Sequence, residues 1–132
     1  MSSMALSISL MLAVDDVAAA GDWYVTALGA LEMWSLGSVM GLHIDGAPFF
    51  LHEPTAEGFA SPGGLGQTTA RVEVFVDDPD AFIAKAVGAG AIVTGAGVQE
   101  RPAPWGKHRQ GGFIDPFGHA WLVGDRSPLG GL

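Results

Sequence analysis

The chain has no cysteine, which excludes disulfides, thiolate catalysis and cysteine-based zinc sites. It is also poor in positive charge, with 6 Lys and Arg against 14 Asp and Glu and a net charge of −8. Phosphate binding needs a basic surface, so nucleic acid is excluded as a partner. No apolar run approaches the roughly 20 residues of a membrane span. The hydrophobic start lacks a basic leader and runs straight into Asp15 and Asp16, so it does not read as a secretion signal and the protein is expected in the cytoplasm. A GxSxG motif is missing, and Ser9 has no nearby candidate base by sequence. Gly63-Gly64-Leu65-Gly66 is not placed between a strand and a helix, as a dinucleotide fingerprint requires.

What remains is 132 residues, 48% of them hydrophobic and 15% charged. That composition belongs to one compact domain burying roughly two-thirds of its unfolded surface. The acidic balance would attract a cation, but solubility is the simpler reading of it.

An internal repeat organises the chain. Leu10, Leu12 and Val14 alternate before Asp15-Asp16, and Val72, Val74 and Val76 alternate before Asp77-Asp78. Alternation predicts a half-buried strand, and each Asp pair supplies a helix N-cap. Val17, Ala20, Tyr24, Ala27 and Leu28 then form one helical stripe, ended by Gly29; Phe82, Ile83, Ala86 and Val87 form the other, ended by Gly88 and Gly90. Each half closes with a hairpin, turning at Asp45-Gly46 in the first and at Asp115-Pro116-Phe117-Gly118 in the second. The pattern is β-α-β-β-β twice: module one 5–53, a flexible linker 54–67 and module two 68–125. Residues 95–106, with Pro102 and Pro104, are expected to form a long binding loop or lid.

Paired modules of this kind, with AVDD at 13–16, WYVTALGA at 23–30 and WGKHRQGGFIDPFGHAW at 105–121, resemble the vicinal oxygen chelate superfamily. It includes glyoxalase I, extradiol dioxygenases, fosfomycin-modifying enzymes and bleomycin-resistance proteins. The DPFGHxW segment points to one branch of mostly uncharacterised small proteins. The resemblance implies an α+β fold whose curved mixed sheet forms a cleft. It also implies metal-ligand positions on the first strand of each module and on a module's last strand. Here they hold Ser9, Arg71 and Leu122, with Phe50 matching Leu122 in module one, or Leu51 or His52 if the hairpin register differs. Ser is a poor ligand, Arg a permanent cation, and Leu and Phe cannot coordinate. No metal and no other cofactor is therefore expected. His43, His52, His108 and His119 lie on separate strands with no spacing that forces convergence. His52-Glu53 is the most ligand-like pair, though neighbours on a strand point to opposite faces. His119 reads as a hydrogen-bonded turn residue.

Strand alternation sorts the side chains. Ser9, Met11, Phe50, Arg71, Glu73, Phe75 and Leu122 are expected to line the cleft, joined by Trp34, Met40 and Trp105, since indoles stack on planar ligands and Met adapts around them. Trp121 is read as core. The sequence reads as a metal-free protein that sequesters a planar aromatic natural product, an antibiotic, for resistance or self-protection, with no catalytic residue. Its partners are that ligand and a second copy of itself, in a homodimer that exchanges elements. The rival is a metal-independent isomerase, cyclase or lyase using Glu73 with Arg71. A metal-dependent glyoxalase or dioxygenase with relocated ligands is a third reading.

Overall fold

The computed structural model describes residues 5–104 and 106–125. The first half contains β1 (Met11–Ala13), α1 (Val17–Leu28), β2 (Leu31–Ser35), β3 (Val39–Ile44) and β4 (Ala47–His52). A one-turn helix, α2 (Pro62–Leu65), lies between the halves. The second half repeats the plan with β5 (Arg71–Phe75), α3 (Pro79–Gly88), β6 (Ile92–Ala103), β7 (Gly106–Ile114) and β8 (Ala120–Gly124). The sheets are ordered β1-β4-β3-β2 and β5-β8-β7-β6. In each, the first strand runs parallel to the last and the other pairs are antiparallel. This is the expected α+β architecture, repeated.

Local chemistry accounts for the elements. The second Asp of each pair caps its helix: Asp16 accepts from Ala19 N at 3.0 Å and Asp78 from Ala81 N at 3.1 Å. The carboxylate of Glu53 adds to the first cap, accepting from Val17 N at 3.2 Å. Gly29 ends α1 in the left-handed conformation, as predicted. Gly88 instead remains helical and Ala89 caps α3. Asp45 and Gly46 both have positive φ, the two-residue turn that suits the twist of a hairpin.

One shared core holds the halves together. Val17, Ala20, Tyr24, Ala27 and Leu28 are buried, as are Ile83 and Ala86 on α3. Val87, assigned to the second stripe, is more than a third exposed. Tyr24 packs edge-on against Phe49 of the first sheet and tilted against Trp121 of the second, itself stacked on Phe113. Trp23 Nε1 donates to the Ala89 carbonyl at 2.7 Å, fastening α1 to the end of α3.

The strongest tie is polar. The carboxylate of Asp115 is buried and receives four donors. Phe117 N and His119 N reach Oδ1 at 2.9 and 3.0 Å, Trp121 Nε1 reaches Oδ2 at 3.0 Å, and the Tyr24 hydroxyl donates to Oδ2 from the other half. Burial first, then the charge of Asp115 and the hydrogen bond to it, push the Tyr24 phenol well above its ordinary value, so it stays a donor. His119 adds a second bond between the halves, its Nε2 donating to the Ala13 carbonyl at 2.7 Å. Its place in the turn was legible, but its reach across the halves was not.

Three expectations are corrected here. Residues 95–103 are strand rather than loop, because β6 runs to Ala103 and pairs with β7 as far as Gly106. The register slips between Thr94 and Gln99, where Gly95 and Gly97 take positive φ and allow a wide bulge. The segment between the halves is pinned rather than flexible: Ser61 caps α2, donates to Asp15 Oδ1 at 2.6 Å, and Pro62 is buried against the Gly118 turn. Finally, β1 is short. Leu6 and Ile8 are 87% and 91% exposed, and Leu10, expected on the helix side, is 38% exposed.

Candidate functional site

Each sheet buries one face under its helix and leaves the other open. On the first sheet the pairing sets Met11 beside Phe50 and Phe50 beside Gly41. A register shift after Glu32 places Trp34 opposite Gly41. The indole lies flat there because Gly41 has no side chain: an added Cβ would sit 2.8 Å from Trp34 Cε2. Trp34 is 40% exposed, and its ring centroid is 5.9 Å from that of Phe50 at a 33° tilt. The open face of the first sheet is thus an aromatic platform of Met11, Trp34 and Phe50.

Met40 is not part of it. It is 7% exposed, on the helix side of β3, with its thioether against Gly21 of α1. Strand parity puts Met40 and Leu42 inward and Gly41 outward, so the flexible side chain fills a core gap. Ser9 is exposed and precedes the first paired residue of β1. Trp105 lies outside the described residues.

The second sheet's open face is chemically different. Arg71, Glu73, Phe75 and Leu122 line one cavity of about 410 Å³ together with Arg101, His108 and Gln110, within the usual range for small-molecule sites. The β6–β7 hairpin contributes Pro102, Ala103 and Pro104 to the lining. Arg71 donates to Glu73 Oε2 at 2.8 Å, and Arg101 to Gln99 Oε1 at 3.1 Å. His108 is buried and lies opposite Arg101 in the ladder. The sequence reading missed Arg101 because it treated residues 95–106 as a loop, and it did not assign His108 or Gln110 to the cleft. Alternation through Gln99, Arg101 and Ala103 was the available signal.

Further cavities adjoin this one. About 250 Å³ lies where the β1 and β5 edges meet under α2, bordered by Met11, Ala13, Leu65 and Arg71. About 640 Å³ lies between the β3–β4 turn and the end of β5, bordered by Ile44, Ala47, Glu73 and Phe75.

The donor set does not fit a metal. Met11 pairs with Phe50 as Glu73 pairs with Leu122, which makes Phe50, rather than Leu51 or His52, the counterpart of Leu122. The four positions therefore hold Ser9, Arg71, Phe50 and Leu122. Among the described residues no group of three or more His, Cys, Asp or Glu side chains comes together. The histidines have other work: His43 Nδ1 accepts from Gly46 N at 3.1 Å, and His52 Nδ1 donates to the Glu53 carbonyl at 2.6 Å. With Glu53 capping α1, the most ligand-like pair of the sequence is structural. Among the described residues, no helix is long and apolar enough to cross a membrane.

No family model matches the chain. It is 37% identical over 131 residues to an uncharacterized protein of Mycobacterium bovis, spanning 89% of this chain and 82% of that one. An uncharacterized protein of Mycobacterium tuberculosis matches at the same identity over 73% of its length. Among solved structures, a gene product of Arabidopsis thaliana superposes with a TM-score of 0.73 at 25% identity, covering 92% of this chain and all of that one. TioX from Micromonospora sp. ML1 superposes at 0.64 and 26% identity over the same share of each chain. A glyoxalase/bleomycin resistance protein from Albidiferax ferrireducens superposes at 0.69 and 21% identity, covering 90% and 98%.

Proposed function

The chain belongs to the same family as the mycobacterial proteins and has the glyoxalase/bleomycin resistance fold, and from that premise we propose that it binds a small molecule without a metal. The ligand class is a planar aromatic natural product, an antibiotic held unchanged so that the cell is protected by sequestration. The observation that carries the reading is the substitution of the metal positions by Ser9, Arg71, Phe50 and Leu122 beside an intact cavity of about 410 Å³. A planar ring has two surfaces to use, the Trp34–Phe50 platform and the wall made by Phe75 and Leu122. Glu73 is held by Arg71, which suits a positioned polar wall better than a lone acid or base.

The experiment incubates protein with a panel of chromophore antibiotics, releases them by denaturation and weighs them by mass spectrometry. Recovery of unchanged drug, stoichiometric with protein, is the expected result. Product formed over many turnovers would overturn it in favour of the metal-independent enzyme, with Glu73→Gln the first variant to test.

The working form is a homodimer. Leu6 and Ile8 are almost wholly exposed, and exposed apolar side chains this close together need cover. A second copy supplies it, and the pinned α2 makes the N-terminal segment, rather than a whole module, the element exchanged. Light scattering is expected to give a dimer mass at micromolar concentration; a monomer mass throughout that range would overturn this.

A further inference from the structure

The cavity of the second sheet holds more positive charge than its surroundings neutralise. Arg71 and Arg101 both line it, one from β5 and one from β6, the two outer strands of that sheet. Glu73 is the one carboxylate among its lining residues, and Arg71 already engages it at 2.8 Å. Arg101 donates to the neutral amide of Gln99 and has no carboxylate within ion-pair distance among the described residues. In a chain with 14 acidic residues against 6 basic ones, a surface arginine has ample choice of partner. Arg109 illustrates this. Asp80 grips it through two bonds at 3.1 Å, and Glu100 adds its charge from the same side of the hairpin. Alternation turns Glu100 away from the cavity and Arg101 toward it.

We propose that the cavity takes a monoanion: a planar apolar molecule bearing one carboxylate, which sits between Arg71 and Arg101 and completes the charge balance. Each guanidinium has five N–H donors in a planar fork that matches a carboxylate, and each has one hydrogen bond to a neighbouring side chain. Phe75, Pro102 and Leu122 supply apolar wall for the ring system. This rests on the binding reading above and narrows its ligand class.

The test titrates the full chain calorimetrically with 2-naphthoate and with 2-naphthamide, which share a ring and differ in charge. Charge-assisted hydrogen bonds make the acid bind about tenfold tighter or more than the amide. Arg101→Ala should cut that preference several-fold, leaving the part that Arg71 supplies, with the melting temperature unchanged. Arg101→Lys, which keeps the charge and loses the fork, should restore it in part. Arg109→Ala, outside the cavity, should change neither ligand. Equal affinity for acid and amide in the native chain would overturn the proposal while the sequestration reading stands. Absence of binding by either probe at millimolar concentration would also overturn it, and the antibiotic panel then decides sequestration separately. An undiminished preference in Arg101→Ala would place the anion elsewhere and overturn the assignment.

Discussion

The two halves share a strand topology, yet only their inner faces are alike. Leu12, Val14 and Leu51 in the first half and Phe113, Trp121 and Val123 in the second are buried apolar groups, because both sheets must cover a helix. The open faces answer to no such demand. One carries Met11, Trp34 and Phe50; the other carries Arg71, Glu73, Arg101 and Gln110. The strands diverge too. β2 has 5 residues, whereas its counterpart β6 has 12 and lends Arg101, Pro102 and Ala103 to the cavity lining. The fold constrains the helix side of each module, and ligand chemistry is written on the other side.

The sharpest way to break this comparison is to cut the tie that holds the halves in one core. Asp115→Ala leaves the Tyr24 hydroxyl, the Trp121 indole N–H and two backbone N–H groups without their acceptor. At about 1–3 kcal/mol per buried unsatisfied group, the loss is on the order of 4 kcal/mol or more, much of a domain's stability. Urea unfolding should show it. A native-like midpoint would mean that the halves do not depend on this carboxylate.

Smaller changes separate the two open faces. Gly41→Ala puts a methyl group 2.8 Å from the Trp34 indole, so the ring must lift. A cost of roughly 1–3 kcal/mol and a red-shifted tryptophan emission are expected. On the second sheet, a Cβ added at Gly124 of β8 would meet Phe75 less closely, at 3.2 Å, and Gly124→Ala should cost less in the same melt. Trp34→Ala removes a half-exposed ring and should lower stability by about 1 kcal/mol or less while weakening an aromatic drug by roughly tenfold, the size of a lost stacking contact. Unchanged drug affinity would remove the platform from the site.

The smallest effect belongs to the exposed pair of Asp80 and Arg109. The hydrogen bond from Arg109 holds the Asp80 carboxyl below its ordinary value. A folded-state value depressed below the unfolded one gives stability that is present above the unfolded value and is lost as pH falls through the folded one. Both groups are about half exposed, and solvent screening keeps the gain small. Arg109→Ala should therefore lower the melting temperature marginally at neutral pH and not at all in strong acid. An equal loss at both would point to packing rather than charge.

Much of this was legible in the sequence. The repeat of alternating strand, Asp pair and apolar stripe gave both modules, because caps and burial are short-range rules. The open-face positions on β5 and β8 followed from parity. Met40 was assigned to the cleft for its chemistry beside Trp34, whereas parity turns it inward with Leu42. The β6 extension was hidden because Gly95, Gly97 and two prolines read as a loop, whereas the glycines form a bulge within a continuing strand. The bonds from Tyr24 to Asp115 and from His119 to Ala13 span 91 and 106 residues, and no local pattern announces a contact of that range.

The absence of a resident metal is the claim on which the functional reading turns, and elemental analysis of the purified chain before and after chelation tests it most directly. Well under one equivalent of Zn, Mn, Fe, Ni or Co, with a melting temperature that chelator does not move, is the predicted result. One tightly held equivalent, lost together with stability on chelation, would contradict it.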